Sequence, residues 1–159
     1  QGGYGHPDHI QAHRVAMYGA LLAGASTFRE DLGEAWSVSK IYWSAFPRSV
    51  LRAGIEALRA SGDDSDFARI DPDDLPFGVH DELITTVIDA SDFADRKAEA
   101  LRCYPTQVET ESGLFAVWLS DPAAFGTEYY RLAYNCGARS EQGPGAGRVE
   151  RETDLFSGL

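Results

Sequence analysis

The feature that most limits how this chain can fold lies at its amino end, where the glycine-rich run Gly2-Gly3-Tyr4-Gly5 meets His6-Pro7 and an alanine-rich stretch follows. Proline is at home in the first turn of a helix, where its missing N–H leaves no bond unmade. A helix is therefore expected from Pro7 to Ala23, with Gly24 as its stop. Its larger apolar residues are Ile10, Met17 and Leu21, and the many alanines suit close packing against a sheet. A loop is thus made to deliver His6 and Asp8 to the start of a rigid element.

Beyond Gly33, the run Lys40 to Phe46 (KIYWSAF) is β-branched and aromatic, and Pro47 closes it, which reads as a buried strand. Ser49 is expected to cap a helix from Val50 to Ala60, in which Leu51, Ile55 and Leu58 recur at helical spacing. The acidic segment Ser61 to Pro76 reads as a solvated surface loop, without the ordered ligand spacing of a calcium site. Glu82 to Ala90 is expected as a strand, and Ser91 or Asp92 to cap a helix ending near Tyr104 before Pro105. A short helix over Gly113 to Ser120, a strand over Glu128 to Tyr134 and a flexible linker at Gln142 to Gly147 complete the reading. Strand followed by helix recurs, so the fold class is α/β.

A net charge of −11 repels phosphate backbones, and no basic cluster offsets it, so nucleic-acid binding is disfavoured. No stretch approaches the roughly 20 apolar residues that span a bilayer, and no signal pattern opens the chain. No membrane partner is expected, and the expected location is cytoplasmic. Cys103 and Cys136 have no CxxC spacing and read as reduced, mostly buried thiols. The chain opens on Gln1 and its only methionine, Met17, falls within the first helix, so it reads as a fragment or a processed chain.

Of four histidines, His6, His9 and His13 fall within eight residues, beside Asp8. Two arrangements compete for a metal. His9 and His13, four apart, share a helical face as the ligands of an HExxH helix do, but Ile10 stands where that motif has its glutamate. Alternatively His9 alone ligates, His6 works as an acid or oxyanion partner, and Asp8 orients an imidazole. The competing bland reading is that these histidines merely cap a helix and meet solvent. His80, in a loop before a strand, reads as a surface residue.

The octapeptide GGYGHPDH with His13 resembles the second signature, HPDHxxxH, of the LmbE-like or PIG-L deacetylase superfamily. KIYW at Lys40 to Trp43, Phe77-Gly78, KAEALRCYPTQV at Lys97 to Val108 and the ETDLFSGL ending are most similar to the superfamily's branch in the mycothiol pathway. The resemblance implies the C-terminal part of a Rossmann-like fold, a mixed sheet with flanking helices. Residues 1–46 would end the catalytic part and 47–159 form an α/β subdomain. It implies hydrolysis of the N-acetyl group of N-acetylglucosaminyl-inositol, a small amino-sugar substrate, with one Zn2+ ion, Fe2+ being possible. His9 corresponds to a metal ligand, His6 to the acid, Asp8 to the aspartate that orients it, and Tyr4 to a hydroxyl donor for the oxyanion. His13 corresponds to a position behind the ligands, and Gln107 to one facing the sugar.

The superfamily's first signature, HPDDE, has no counterpart here, since His6-Pro7 is the only His-Pro pair. A companion N-terminal segment carrying HPDD is therefore expected to complete the site, and this chain alone is expected to be inactive. Rival readings are a mycothiol S-conjugate amidase, an antibiotic-tailoring sugar deacetylase, or a metal-free domain without catalysis.

Overall fold

The computed structural model describes residues 3, 5–75, 77–108, 113–136 and 150–159. Tyr4 and the Gln142 to Gly147 segment fall outside them. Helix α1 spans Pro7–Ala23, with His6 as its N-cap and Gly24 as its C-cap. The expected limits are met because both ends are set locally, by a proline that starts the helix and a glycine that follows it. Strand β1 (Lys40–Ser44) follows, then the short β2 (Phe46–Pro47), so the single expected strand is divided at Ala45.

Helix α2 (Arg48–Ala60) buries Leu51, Ile55 and Leu58, the residues whose spacing announced it. Ser49 does not cap it. Pro47 occupies the N-cap position, and the Ser49 amide and hydroxyl both donate to the Asp81 carboxylate, a partner 32 residues away. The acidic segment is more ordered than a loop. It holds α3 (Asp66–Arg69), capped by the Ser65 hydroxyl, and a 3₁₀ turn at Pro72–Asp74 capped by Asp71. Such side-chain caps satisfy the amides that open a helical turn, which lets short polar stretches coil. Leu51, Ile55 and Leu75 form one core cluster, against which Phe67, Ile70 and Phe77 pack.

Strand β3 (Gly78–Val79) pairs in parallel with β2. The expected strand from Glu82 is shorter: a 3₁₀ turn takes Asp81–Leu83 and β4 spans Thr86–Asp89. Another 3₁₀ turn, Ser91–Phe93, leads into α4 (Ala94–Arg102), with α5 (Gly113–Ser120) and α6 (Pro122–Gly126) beyond. Ala94, Ala98 and Phe125 make a second cluster, with Leu101, Trp118 and Leu119 around it. Strand β5 (Thr127–Asn135) lies between β1 and β4 and pairs antiparallel with both. The chain is thus mixed α/β, with small sheets and flanking helices. Both cysteines are exposed, against expectation. Cys103 follows the last residue of α4 and Cys136 the last of β5, where the chain leaves its packed elements.

The carboxyl-terminal segment is fastened to the sheet by a polar cluster. Glu152 bridges in parallel to Thr86, with Val87 N–H donating to its carbonyl at 2.9 Å. Its carboxylate accepts from Lys40 at 2.8 Å, from Tyr42 at 2.7 Å and from Thr86 at 2.9 Å. The Lys40 side chain is only 4% exposed. Burial opposes ionisation of Glu152, but the Lys40, Tyr42 and Thr86 donors outweigh it and hold the carboxyl below 4.5. The Glu152 carboxylate in turn holds Lys40 above 10.5, against the pull of burial.

The depressed Glu152 stabilises the fold above its unfolded pKa, and that contribution is lost as pH falls through the folded value. The raised Lys40 stabilises fully below its unfolded pKa, and its contribution is lost as pH rises through the folded value. The tail is therefore expected to stay docked at neutral pH and to loosen on acidification below 4.5. Methyl resonances of Leu155, whose carbonyl accepts from Tyr42, should move toward random-coil positions as the pH falls below 4.5. Resonances that stay unmoved to the point of global unfolding would refute the latch.

Candidate functional site

Gly3 and Gly5 adopt φ of +63° and +95°, a region that side chains rarely enter, so the loop before α1 is shaped around glycine. This turn folds back on the helix start. A Cβ placed on Gly3 would lie 3.7 Å from Nδ1 of His9, which puts that edge of the ring against the loop. His6 caps the helix, its Nδ1 accepting from the Asp8 amide at 3.2 Å. A ring nitrogen that accepts carries no proton, so the neutral His6 ring bears its proton on Nε2. The Asp8 carboxylate lies 4.0 Å from the same Nδ1, within ion-pair range of a protonated ring. Asp8 therefore orients His6 first through its main chain.

The His6 and His9 rings approach edge to face at 5.6 Å between centroids. The His6 side chain is 47% exposed, and His9 is exposed as well. His13 is placed differently. It is half-buried and meets Trp43 of β1 edge to face at 5.6 Å, with the Arg131 guanidinium 5.8 Å from the same indole. The structure thus brings His6, Asp8 and His9 together and turns His13 toward the sheet. The Trp43 indole N–H is buried and has no acceptor among the described residues.

Gln107 is exposed in the turn after α4, and its side-chain amide donates to the Thr106 hydroxyl. His80 is exposed and lies 3.8 Å from Glu82. Tyr4 lies outside the described residues. A groove of about 270 Å³ beside α4 and α6, lined by Asp95, Glu99, Arg102 and Phe125, contains none of the histidines. Far from them in sequence, burial and then the Glu128 carboxylate push the Tyr130 phenol up to about 12.

Zinc asks for several converging nitrogen, sulfur or oxygen donors. His9 supplies an imidazole of the right kind on a fixed helix turn. Among the described residues, however, no three His, Cys, Asp or Glu side chains converge. The donors present fit a share of a metal sphere and do not close one. Sequence reasoning overlooked the Lys40–Tyr42–Thr86–Glu152 cluster, since Thr86 and Glu152 lie 46 and 112 residues beyond Lys40 along the chain and carry no local pattern.

Among the described residues no helix is long and apolar enough to cross a membrane. No family model matches the chain. Searched against curated proteins, 99% of the chain aligns at 50% identity with the 1D-myo-inositol 2-acetamido-2-deoxy-alpha-D-glucopyranoside deacetylase of Geodermatophilus obscurus, covering 52% of that protein. Similar deacetylases from Catenulispora acidiphila and a Nocardioides species align over 99% of the chain at 46% and 45% identity, with 47% and 51% of their own lengths covered. The chain spans about half the length of the curated relatives it matches. The similarity to these deacetylases therefore runs along almost the whole chain.

Proposed function

We propose that this chain carries the His6–His9 share of the active site of an N-acetylglucosaminyl-inositol deacetylase, a metal-dependent amide hydrolase. The observation that carries the reading is the pairing of His6 and His9 at the head of α1, in a chain similar end to end to deacetylases of that amino-sugar conjugate. The fold in this reading is the C-terminal part of a Rossmann-like LmbE/PIG-L architecture, with residues 1–46 ending its catalytic part and 47–159 forming the second subdomain. A companion segment bearing HPDD supplies the missing donors and the base.

His9 would hold the metal, zinc by preference or Fe2+. The chemistry such an ion would supply there is polarisation of the acetamide carbonyl and a bound water that ionises to hydroxide near neutral pH. His6, once protonated on both ring nitrogens, would give one proton to the departing amine and return to the neutral ring. The Asp8 amide orients the neutral ring, and the Asp8 carboxylate, 4.0 Å from Nδ1, steadies the protonated one. Tyr4 donates its hydroxyl to the carbonyl oxygen as negative charge gathers there. His13, against Trp43, stiffens the turn of helix that bears His9. Gln107 contributes a hydrogen bond to the sugar.

The test is acetate release from N-acetylglucosaminyl-inositol by the complete enzyme, compared with cleavage of a mycothiol S-conjugate. Deacetylation of the first at the higher kcat/KM is expected. A preference for the conjugate assigns the amidase reading, and no cleavage of either by metal-reconstituted enzyme rejects hydrolysis altogether.

A further inference from the structure

No residue of α1 is buried, and Val15, Tyr18 and Leu21 are 71%, 63% and 70% exposed. A helix packed so lightly depends on particular contacts to hold its head, where His6 and His9 stand. Its half-buried residues include Ile10, His13, Met17 and Ala20. The Trp36 amide donates to the Ala23 carbonyl at 2.8 Å, and Ser37 lies beside Gly24, so β1 begins near the end of α1. Trp43 then meets His13. Strand β1 therefore runs back along α1 toward the histidine cluster. His13 follows His9 by four residues, about one turn, so the two side chains leave the same side of the helix.

A buried indole N–H ordinarily finds an acceptor that fixes its ring. The Trp43 N–H has none among the described residues, so the orientation of this ring falls to what lies against it. One such contact is His13, edge to face at 5.6 Å with 71° between the planes. Another is Arg131, whose guanidinium carbon lies over the indole, 5.8 Å from the ring centroid and within cation–π range. Arg131 stands directly opposite Trp43 in the β1–β5 ladder, so both side chains leave the same face of the sheet. Arg131 is exposed, and among the described residues no carboxylate pairs with it. A planar guanidinium also suits an aromatic face better than an ammonium does.

We propose that Arg131 is a positioning residue for the metal site: lying over Trp43, it holds the indole against His13 and so fixes the turn of α1 that presents His9. The inference rests on the proposed function for the role of His9, and adds to it a residue of β5 that no local pattern connects with the histidines. Arg131 acts through two rings and touches neither metal nor substrate. Without the cation the indole is freer to turn, the His13 ring loses a fixed neighbour, and the His9 ring presents its nitrogen less steadily. Groups that bond a metal ligand directly matter by about 10–100-fold. Arg131 stands further back, so the expected loss is that of the cation–π contact itself.

The experiment is Arg131→Met in the complete enzyme, which removes the charge and keeps a flexible stem at an exposed position. Tm is expected within about 2 °C of the parent. Zinc affinity, measured by competition with a chelator, should fall about 2–5-fold, the factor that corresponds to an exposed cation–π contact. kcat should fall by a like factor while KM stays near the parent's. A raised KM with unchanged kcat would mean that Arg131 meets the substrate itself, and overturns the inference. In a His13→Ala background the same substitution should cost nothing further, because the path through His13 is gone, and equal losses in both backgrounds overturn it as well. A second reading needs no metal: the His13 ring resonances of the metal-free enzyme, which feel the ring current of Trp43. Arg131→Met should move them, whereas Arg52→Met, which removes an ion pair between α2 and Asp73, should not. Unmoved His13 resonances reject the inference. A parent enzyme that binds no metal rejects the proposed function, and His13 resonances that still move on Arg131→Met then leave the hold of Arg131 on α1 standing.

Discussion

His6→Asn in the complete enzyme is expected to lower kcat by about 10²–10³-fold while leaving the melting temperature nearly unchanged. Asparagine separates two duties that the histidine combines. As N-cap, His6 accepts from the Asp8 amide at 3.2 Å, and an asparagine side-chain oxygen accepts there equally well. As acid, the protonated His6 ring can pass a proton to the departing amine, which an amide side chain cannot do. His6→Ala loses both, and the missing cap adds about 1 kcal/mol of destabilisation. His9→Ala is the companion measurement. It removes the imidazole proposed as ligand, so metal content by elemental analysis should fall together with turnover, whereas His6→Asn retains its metal. A His6→Asn enzyme with wild-type kcat would show that the ring is only a cap.

The largest effect on stability is expected at Gly126, which ends α6 and is buried. A Cβ built there would lie 2.3 Å from the Ser91 Cα and 2.7 Å from the Ser91 nitrogen. Both are main-chain atoms, so no side-chain rotation relieves the overlap. The Gly126 carbonyl also accepts from the Ala90 amide at 3.0 Å, which ties the start of β5 to the turn between β4 and α4. Gly126→Ala must part these segments. Overpacking a core ordinarily costs about 1–3 kcal/mol, and a clash confined to main chain belongs at or above the upper end. Thermal denaturation should show a Tm lower by about 6–12 °C, at 2–4 °C per kcal/mol for a protein of this size. A Tm within 2 °C of the parent would mean that the two segments are not held together as described.

Both expectations bear on how legible the molecule was. Helix α1 was readable to the residue, because Pro7 and Gly24 act on their immediate neighbours. The core of α2 was readable because Leu51, Ile55 and Leu58 repeat with the helix itself. Strand β5 was found within a residue at each end from its aromatic and β-forming content. The close approach at Gly126 was not readable, since it depends on where Ser91 lies, 35 residues earlier. Ser49 was misread as a cap for the same reason: Asp81 competes for it from a distance that no local pattern records.

The histidine cluster divides along the same line. Spacing alone left His9 free to join either His13 or unseen partners. Three-dimensional placement separates them, His13 edge-on to Trp43 and His9 beside His6, because β1 returns along one side of α1 and draws His13 toward it. The sequence by itself determined where α1 begins and ends and that it carries the histidine cluster at its head, since caps, turns and periodicity are short-range effects. Only the tertiary structure decided which ring faces which neighbour, that Glu152 fastens the tail to Lys40, and that one side of α1 stands open, because those outcomes depend on segments that meet only after the chain has folded.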